Sequence, residues 1–325
     1  TSFEVLTAAA LLFFDMVSAE IAIVEVGMGG RLDATNVIVP EVSVINNISL
    51  EHTSFLGSTV EEIAFEKAGI MKPGVPCVTI NGDAAYRVLE RQAARVGCPL
   101  RRIPAEDVRV ISMGPDSVDA EYRGTIYSVG IPGCHQARNM ALAVEALSEL
   151  DGYAERIAPN LHRGLESVSW PCRMQKLMAD PIIVDVTHTK SGAACLGRDV
   201  AEIYGKVVLV IGMLRDKDVD GVMEMLSPVC SKVFVTEPVS PRARPVEETA
   251  GIVARHHAVD GVYPCMPDAM EAAMEARGDE NVLVTGSFRM AEGVLQWLAQ
   301  RSSRYSIYSQ RSTWAERILD ATRRD

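Results

Sequence analysis

Ile21-Ala22-Ile23-Val24-Glu25-Val26-Gly27-Met28-Gly29-Gly30 is a run of apolar residues with one carboxylate inside it, stopped by glycines. An unbroken apolar run of this length is the pattern of a strand covered on both faces, as in a parallel sheet. The glycines after it let backbone approach a neighbour or a ligand closely, although glycines also make simple turns. Val42–Asn46 and Val75–Ile80 repeat the strand pattern. Helical patterns lie around them. Thr1-Ser2-Phe3-Glu4 and Thr59-Val60-Glu61-Glu62 are capping boxes, the first opening a helix over Ser2–Val17 and the second a helix that stops near Gly69. Ala84–Val96 is helical and closes at Gly97, residues 105–130 predict short strands forming a hairpin at the sheet edge, and Gln136–Leu150 is an apolar helix.

A second alternating series follows a linker near Trp170–Asp180. Its strands are Ile182–Asp185, Val207–Ile211, Lys232–Thr236 and Val282–Thr285, separated by helices near 190–204, 218–226, 246–255 and 267–277. Strand and helix in alternation predict βαβ units and a doubly wound parallel sheet. The fold class expected is therefore α/β. The tail after Ala299 is polar, with one amphipathic stretch at Thr313–Ala321.

The composition bounds the function. At 325 residues, the chain has room for about two domains of ~150 residues each. The net charge of −11 comes without a basic block, which argues against nucleic acid as the partner. No apolar run reaches the ~18 residues of a spanning helix, so no membrane partner is expected. Seven cysteines stand at 77, 98, 134, 172, 195, 230 and 265, with no Cys-x-x-Cys pair. An odd count without a signal peptide fits a reducing cytoplasm, with the thiols serving as small core residues.

In open α/β sheets, ligands sit beyond the carboxyl ends of the strands. The residues following the strands are Glu25 with Gly27–Gly30, Asn46-Asn47 and His52, then Asp185 and His188, Gly212 with Lys217-Asp218, Thr236, and Gly286-Ser287. Their collection at one edge of both sheets predicts a cleft between the domains. Glu25 reads either as a strand-end carboxylate held by backbone or as a Mg²⁺ ligand beside a phosphate site. His52 reads as a structural histidine or as a ligand. Lys67 reads as an exposed helix lysine paired with Glu62 or Glu66, or as a group in the site, and Lys72 as solvent-facing. Asp185 with His188 reads as a helix cap beside an incidental histidine, or as a binding loop. There is no Gly-x-Ser-x-Gly and no reactive cysteine context, and no Gly-x-x-x-x-Gly-Lys-Ser/Thr phosphate loop occurs.

Taken together, several segments resemble the folylpolyglutamate synthase/dihydrofolate synthase family of the Mur ligase superfamily. They are Val24–Asn36, Ile48-Ser49-Leu50-Glu51-His52-Thr53, Glu66–Gly74, His135-Gln136-Ala137-Arg138-Asn139, Trp170-Pro171-Cys172-Arg173, Gly212–Asp218, Pro241-Arg242-Ala243 and Thr285-Gly286-Ser287. They run in order across nearly the whole chain. The resemblance implies an ATP-binding central domain over 1–176, with its N-terminal part missing, and a smaller Rossmann-like ligase domain over 177–325. It implies an ATP-dependent ligase that activates a pteroate or folate carboxylate as an acyl phosphate and joins L-glutamate to it. It implies Mg²⁺ held by Glu25 and His52, and Lys67 carbamylated to support a second metal ion. Asn139 and Arg173 would contact the nucleotide, Arg173 near its phosphates, while Asp185 and His188 would hold ATP from the second domain. A cytoplasmic monomer is expected. A non-catalytic nucleotide- or pterin-binding relative, and a Mur-superfamily ligase with another substrate, stand as alternatives.

The chain departs from the family pattern in three ways. Asp185-Val186-Thr187-His188-Thr189 stands where the family reads Asp-Gly-Ala-His-Asn, and Cys172 stands at a family glycine. Larger side chains at two tight glycine positions are expected to alter the nucleotide pocket or to narrow the cleft. The family's phosphate loop lies upstream of what is Thr1 here, so residues 1–325 by themselves are expected to be inactive.

Overall fold

A computed structural model describes residues 1–150, 152–177 and 180–301. The stretch expected to be amphipathic at Thr313–Ala321 lies outside the described residues. The chain divides into two compact units, one of residues 1–111, 119–129 and 135–167, the other of 112–118, 130–134 and 168–325.

The first unit opens with α1 (Ser2–Met16), where the Thr1–Glu4 capping box forms as expected. A three-stranded parallel sheet follows in the order β1 (Ser43–Ile45), β2 (Cys77–Thr79), β3 (Leu100–Arg102). Its helices are a short turn α2 (Thr53–Leu56), α3 (Val60–Ala68) and α4 (Asp83–Val96). Ile45, Ile63, Ala64, Ala68, Cys77, Val88 and Leu89 close its core. Each fully buried Leu, Ile or Val contributes about 1.5–3 kcal/mol. β4 (Val108–Met113), β5 (Val118–Tyr122) and β6 (Thr125–Val129) form a separate three-stranded sheet rather than an edge of the parallel one. Arg123 and Gly124 join β5 to β6 with φ of 52° and 75°, the left-handed pair a two-residue hairpin requires. α5 (Cys134–Ser148) comes next, then the short α6 (Ala154–Ile157) and α7 (Leu161–Glu166).

Ile21–Val26 is not a strand. The segment has no regular secondary structure and pairs with no strand among the described residues, and Ile23 is 94% exposed. Apolar composition alone does not make a strand; a strand also needs a neighbour to share its backbone hydrogen bonds.

The second unit contains β7 (Gln175–Lys176), β8 (Ile182–Val184), α8 (Lys190–Ile203), β9 (Val207–Ile211), α9 (Val219–Leu226), β10 (Cys230–Thr236), α10 (Val246–Val253), β11 (Gly261–Tyr263), α11 (Met266–Ala276), β12 (Asn281–Thr285) and α12 (Phe288–Arg301). The sheet order is β11-β10-β9-β12-β8-β7, parallel except for β7 against β8. The period of two decides the layers. Val207, Leu209 and Ile211 face α8, α9 and α10, while Val208 and Val210 face α11 and α12. The sheet is thus doubly wound. Because β12 inserts between β8 and β9, the loops after β8, β9 and β12 come together at one sheet edge.

Candidate active site

In the first unit the Gly27–Asn36 loop packs on the C-terminal end of α3. The Arg31 backbone N–H donates to the Glu66 carbonyl at 2.8 Å, and the Arg31 guanidinium pairs with the Glu66 carboxylate at 2.9 Å. The Asn36 Nδ2 donates to the Gly69 carbonyl at 3.0 Å, and Lys72 Nζ donates to the Asn36 carbonyl at 2.9 Å. Lys72 is therefore a tie between two loops, not the solvent-facing lysine its sequence position suggests. A Cβ on Gly69 would lie 2.3 Å from the Arg31 Cβ, so only glycine permits this approach. Asp33 organises the loop from within. It accepts from the Met28 N–H at 2.9 Å and from the Thr35 N–H and hydroxyl at 2.9 and 2.6 Å. Partial burial pushes the Asp33 carboxyl upward, but the hydrogen bonds from Thr35, Met28 and Gly27 outweigh it and hold the group below the usual carboxylate range.

Lys67 lies in the last turn of α3, half-buried. Neither suggested partner is available to it. Glu62 closes the capping box and accepts from the Ser58 and Thr59 N–H groups, and Glu66 is paired with Arg31. The Lys67 amine has no carboxylate partner among the described residues.

Glu25 and His52 are both exposed, and neither side chain forms a hydrogen bond or ion pair among the described residues. His52 heads α2 at φ 52°, a left-handed conformation that costs a non-glycine residue about 1–3 kcal/mol. No group of three or more His, Cys, Asp or Glu able to hold a metal occurs among the described residues. Of the two, the Glu25 carboxylate is the oxygen donor that suits Mg²⁺, which keeps several waters and takes its remaining oxygens from phosphates; an imidazole nitrogen is a softer ligand than that ion usually takes.

Asn139, on α5, belongs to the first unit. Its Oδ1 accepts from Asn46 Nδ2 at 3.0 Å and its Nδ2 donates to Gln136 Oε1 at 2.9 Å. Asn46 stands 93 residues away in the chain, so no local pattern announces the pair.

In the second unit, Asp185 is 6% exposed and does not cap α8; Thr189 does, through its side chain and the Gly192 N–H. The Asp185 oxygens accept instead from the Met174 N–H at 2.8 Å and the Thr187 N–H at 2.7 Å. Asp185 thereby fixes the residue after Arg173 and the residue before His188. Arg173 itself is exposed. His188 Nδ1 donates to the Val186 carbonyl at 2.9 Å, since a carbonyl can only accept. Gly286, at φ 114°, donates to the Thr187 carbonyl at 3.0 Å and joins the loops after β12 and β8.

The departures from the family pattern have different consequences. Val186 is 1% exposed and packs in the core under α11 and α12, so its side chain does not narrow a ligand site. Thr189 supplies the helix cap. Cys172 sits at φ 60°, the conformation glycine favours. Burial, then the nearby Asp185 charge, pushes its thiol up to about 11, which leaves it protonated at neutral pH.

The Mur ligase middle domain matches residues 2–147, and the glutamate ligase domain of the Mur ligases matches residues 172–288. A folylpolyglutamate synthase of Lacticaseibacillus casei is 33% identical over 92% of this chain and 71% of its own length. The chain belongs to the folylpolyglutamate synthase/dihydrofolate synthase family. Members of this family are ATP-dependent ligases. A dihydrofolate synthase/folylpolyglutamate synthase of Mycobacterium tuberculosis is 34% identical over 84% of the chain; the chain spans 60% of that relative. The folylpolyglutamate synthase structure from Mycobacterium tuberculosis complexed with ADP and AMPPCP superposes with a TM-score of 0.79 at 31% identity, over 91% of this chain and 72% of that one. Among the described residues no helix is long and apolar enough to cross a membrane.

Proposed function

We propose that this family member joins the amino group of L-glutamate to the carboxylate of a pteroate or folate at the expense of ATP. The acceptor carboxylate attacks the γ-phosphorus, ADP leaves, and the glutamate amine displaces phosphate from the acyl phosphate to form the amide. The substrates supply the nucleophiles, so the chain's task is positioning and electrostatic stabilisation.

The observation that carries the reading is Lys67. It is half-buried at the end of α3, beside the Gly27–Asn36 loop, and both neighbouring glutamates are committed elsewhere. An unpaired amine in such a place is suited to capture CO₂, and a carbamate then presents oxygens to support a second metal ion. Glu25 and His52 hold Mg²⁺ in this reading. The ion, when bound, neutralises charge on the phosphates. Asn139 contacts the nucleotide, and Arg173 lies near its phosphates. Asp185 orients the backbone on either side of the second-domain loop, and His188 offers Nε2 to the nucleotide. The unit that opens the chain is the ATP-binding central domain, and the unit that carries β7–β12 is the ligase domain. The protein works in the cytoplasm as a monomer, with small molecules rather than nucleic acid or membrane as its partners.

The test is ADP release by the full encoded protein, supplied with ATP, Mg²⁺ and either dihydropteroate or tetrahydrofolate, with and without glutamate. Release that requires both the pterin carboxylate and glutamate is expected. Release indifferent to glutamate would contradict the assignment.

A further inference from the structure

Four side chains of the first unit form a hydrogen-bonded chain whose direction is fixed at one end. The Asn47 backbone N–H donates to Asn46 Oδ1 at 2.7 Å. A backbone N–H can only donate, so this bond identifies which end of the Asn46 amide is oxygen. Asn46 Nδ2 then donates to Asn139 Oδ1 at 3.0 Å. Asn139 must present Nδ2 to Gln136 Oε1, at 2.9 Å, and Gln136 Nε2 faces His135 Nε2 at 3.1 Å. Reversing every amide would set the Asn46 amino group against the Asn47 N–H, two donors face to face. The backbone of Asn47 therefore dictates the sense of the Asn139 amide through one intervening side chain.

That sense has a chemical consequence. A carboxamide has two N–H donors and two acceptor lone pairs. Asn139 uses one of each within the chain, leaving one donor and one acceptor. Adenine presents an acceptor at N7 beside a donor at N6, whereas guanine presents acceptors at both N7 and O6. An amide of fixed sense can match both adenine positions and only one of guanine's. An amide held in the opposite sense mismatches both adenine positions. We infer that Asn46 is a positioning residue that makes the Asn139 contact selective for adenine over guanine nucleotides. This rests on the proposed reading of Asn139 as a nucleotide contact.

Two nearly isosteric substitutions separate orientation from charge. In Asn46→Asp one carboxylate oxygen still accepts from Asn47, but the other can only accept, so Asn139 must turn its Nδ2 towards residue 46. In Gln136→Glu a carboxylate oxygen still accepts from Asn139 Nδ2, and the original sense is kept. Both add one negative charge. Asn46 is exposed, so its replacement leaves the core intact, and Asn46→Ala, which removes the lock without reversing it, serves as a second variant. Dissociation constants for ADP and GDP are measured on the full encoded protein by equilibrium dialysis. Asn46→Asp is expected to lower the preference for ADP over GDP by about 10-fold, the scale of a base-edge contact. Asn46→Ala should lower it less, and Gln136→Glu should hold it within about 2-fold. Equal changes in Asn46→Asp and Gln136→Glu, or no change in Asn46→Asp, would overturn the inference. Asn139→Ala distinguishes the two levels. If it binds ADP as tightly as the parent, the nucleotide reading of Asn139 fails and the inference with it. If it binds ADP more weakly while Asn46→Asp keeps the parental ratio, only the orientation claim fails.

Discussion

Arg31 holds Glu66 twice, its backbone N–H donating to the Glu66 carbonyl at 2.8 Å and its guanidinium reaching both carboxylate oxygens at 2.9–3.2 Å. The pair fastens the Gly27–Asn36 loop to the helix that carries Lys67. Its side chains are 45% and 20% exposed, so solvent screens it and the side-chain interaction contributes no more than about 1 kcal/mol. Glu66→Gln should therefore lower the melting temperature by only about 2 °C. The catalytic effect should be the larger one, because the charged half of the anchor between the loop and the Lys67 helix is weakened while the backbone bond remains. Thermal melts and turnover measured side by side check this, and a large stability loss with normal turnover would contradict it.

Asp33 gives the loop a pH signature. Its folded carboxyl titrates below its unfolded value, so its contribution is fully present above the unfolded pKa of about 3.9 and fades as pH falls through the folded value. Asp33→Asn should thus be less stable than the parent by a constant margin at pH 6–8. The margin should shrink below about pH 4. Melting curves of both proteins across that range test the sign; a margin that grows on acidification would refute it.

His52 combines exposure with a left-handed backbone. His52→Gly relieves about 1–3 kcal/mol of strain and incurs about 0.5–1 kcal/mol of glycine entropy, so its stability should be equal to or above the parent's. Activity should fall by at least ~10²-fold if the imidazole serves the metal site, the scale of losing one preorganised electrostatic contact. Glu25→Ala should lose activity on the same scale. A destabilised His52→Gly with normal turnover would make the histidine structural.

Lys67 should carry a carbamate in the working enzyme. Incubation with ¹³C-bicarbonate should give a carbamate signal that disappears in Lys67→Ala. The variant should lose most of its turnover and recover part of it with small carboxylates. An unmodified amine and a near-normal variant would remove Lys67 from the mechanism.

Local signals were legible in the sequence wherever a local interaction decides the structure. Both capping boxes form, and the strands β8, β9, β10 and β12 fall where continuous apolar runs end in polar loops. The failures have a common cause in partners distant along the chain. Ile21–Val26 has strand composition and no ladder. β11 is only Gly261-Val262-Tyr263, too short to form a pattern, and takes its conformation from pairing with β10. α12 passed unnoticed because its apolar positions, Met290, Val294 and Trp297 among them, are diluted by polar residues and read only against the sheet they cover. At the site, the residue types were visible but their roles were not. Asp185 resembled a helix cap until its two oxygens were found on Met174 and Thr187. The Arg31–Glu66 and Asn46–Asn139 contacts span 35 and 93 residues, and no spacing rule reaches that far.

The most direct test of the ligase assignment follows one oxygen atom. The full encoded protein is given ATP, glutamate and a pteroate or folate acceptor whose reacting carboxylate is labelled with ¹⁸O. If that carboxylate attacks the γ-phosphorus, one labelled oxygen departs with phosphate when the glutamate amine takes its place. Inorganic phosphate carrying one ¹⁸O per amide formed is the predicted result. Amide formation with unlabelled phosphate, or phosphate release without amide, would contradict the account.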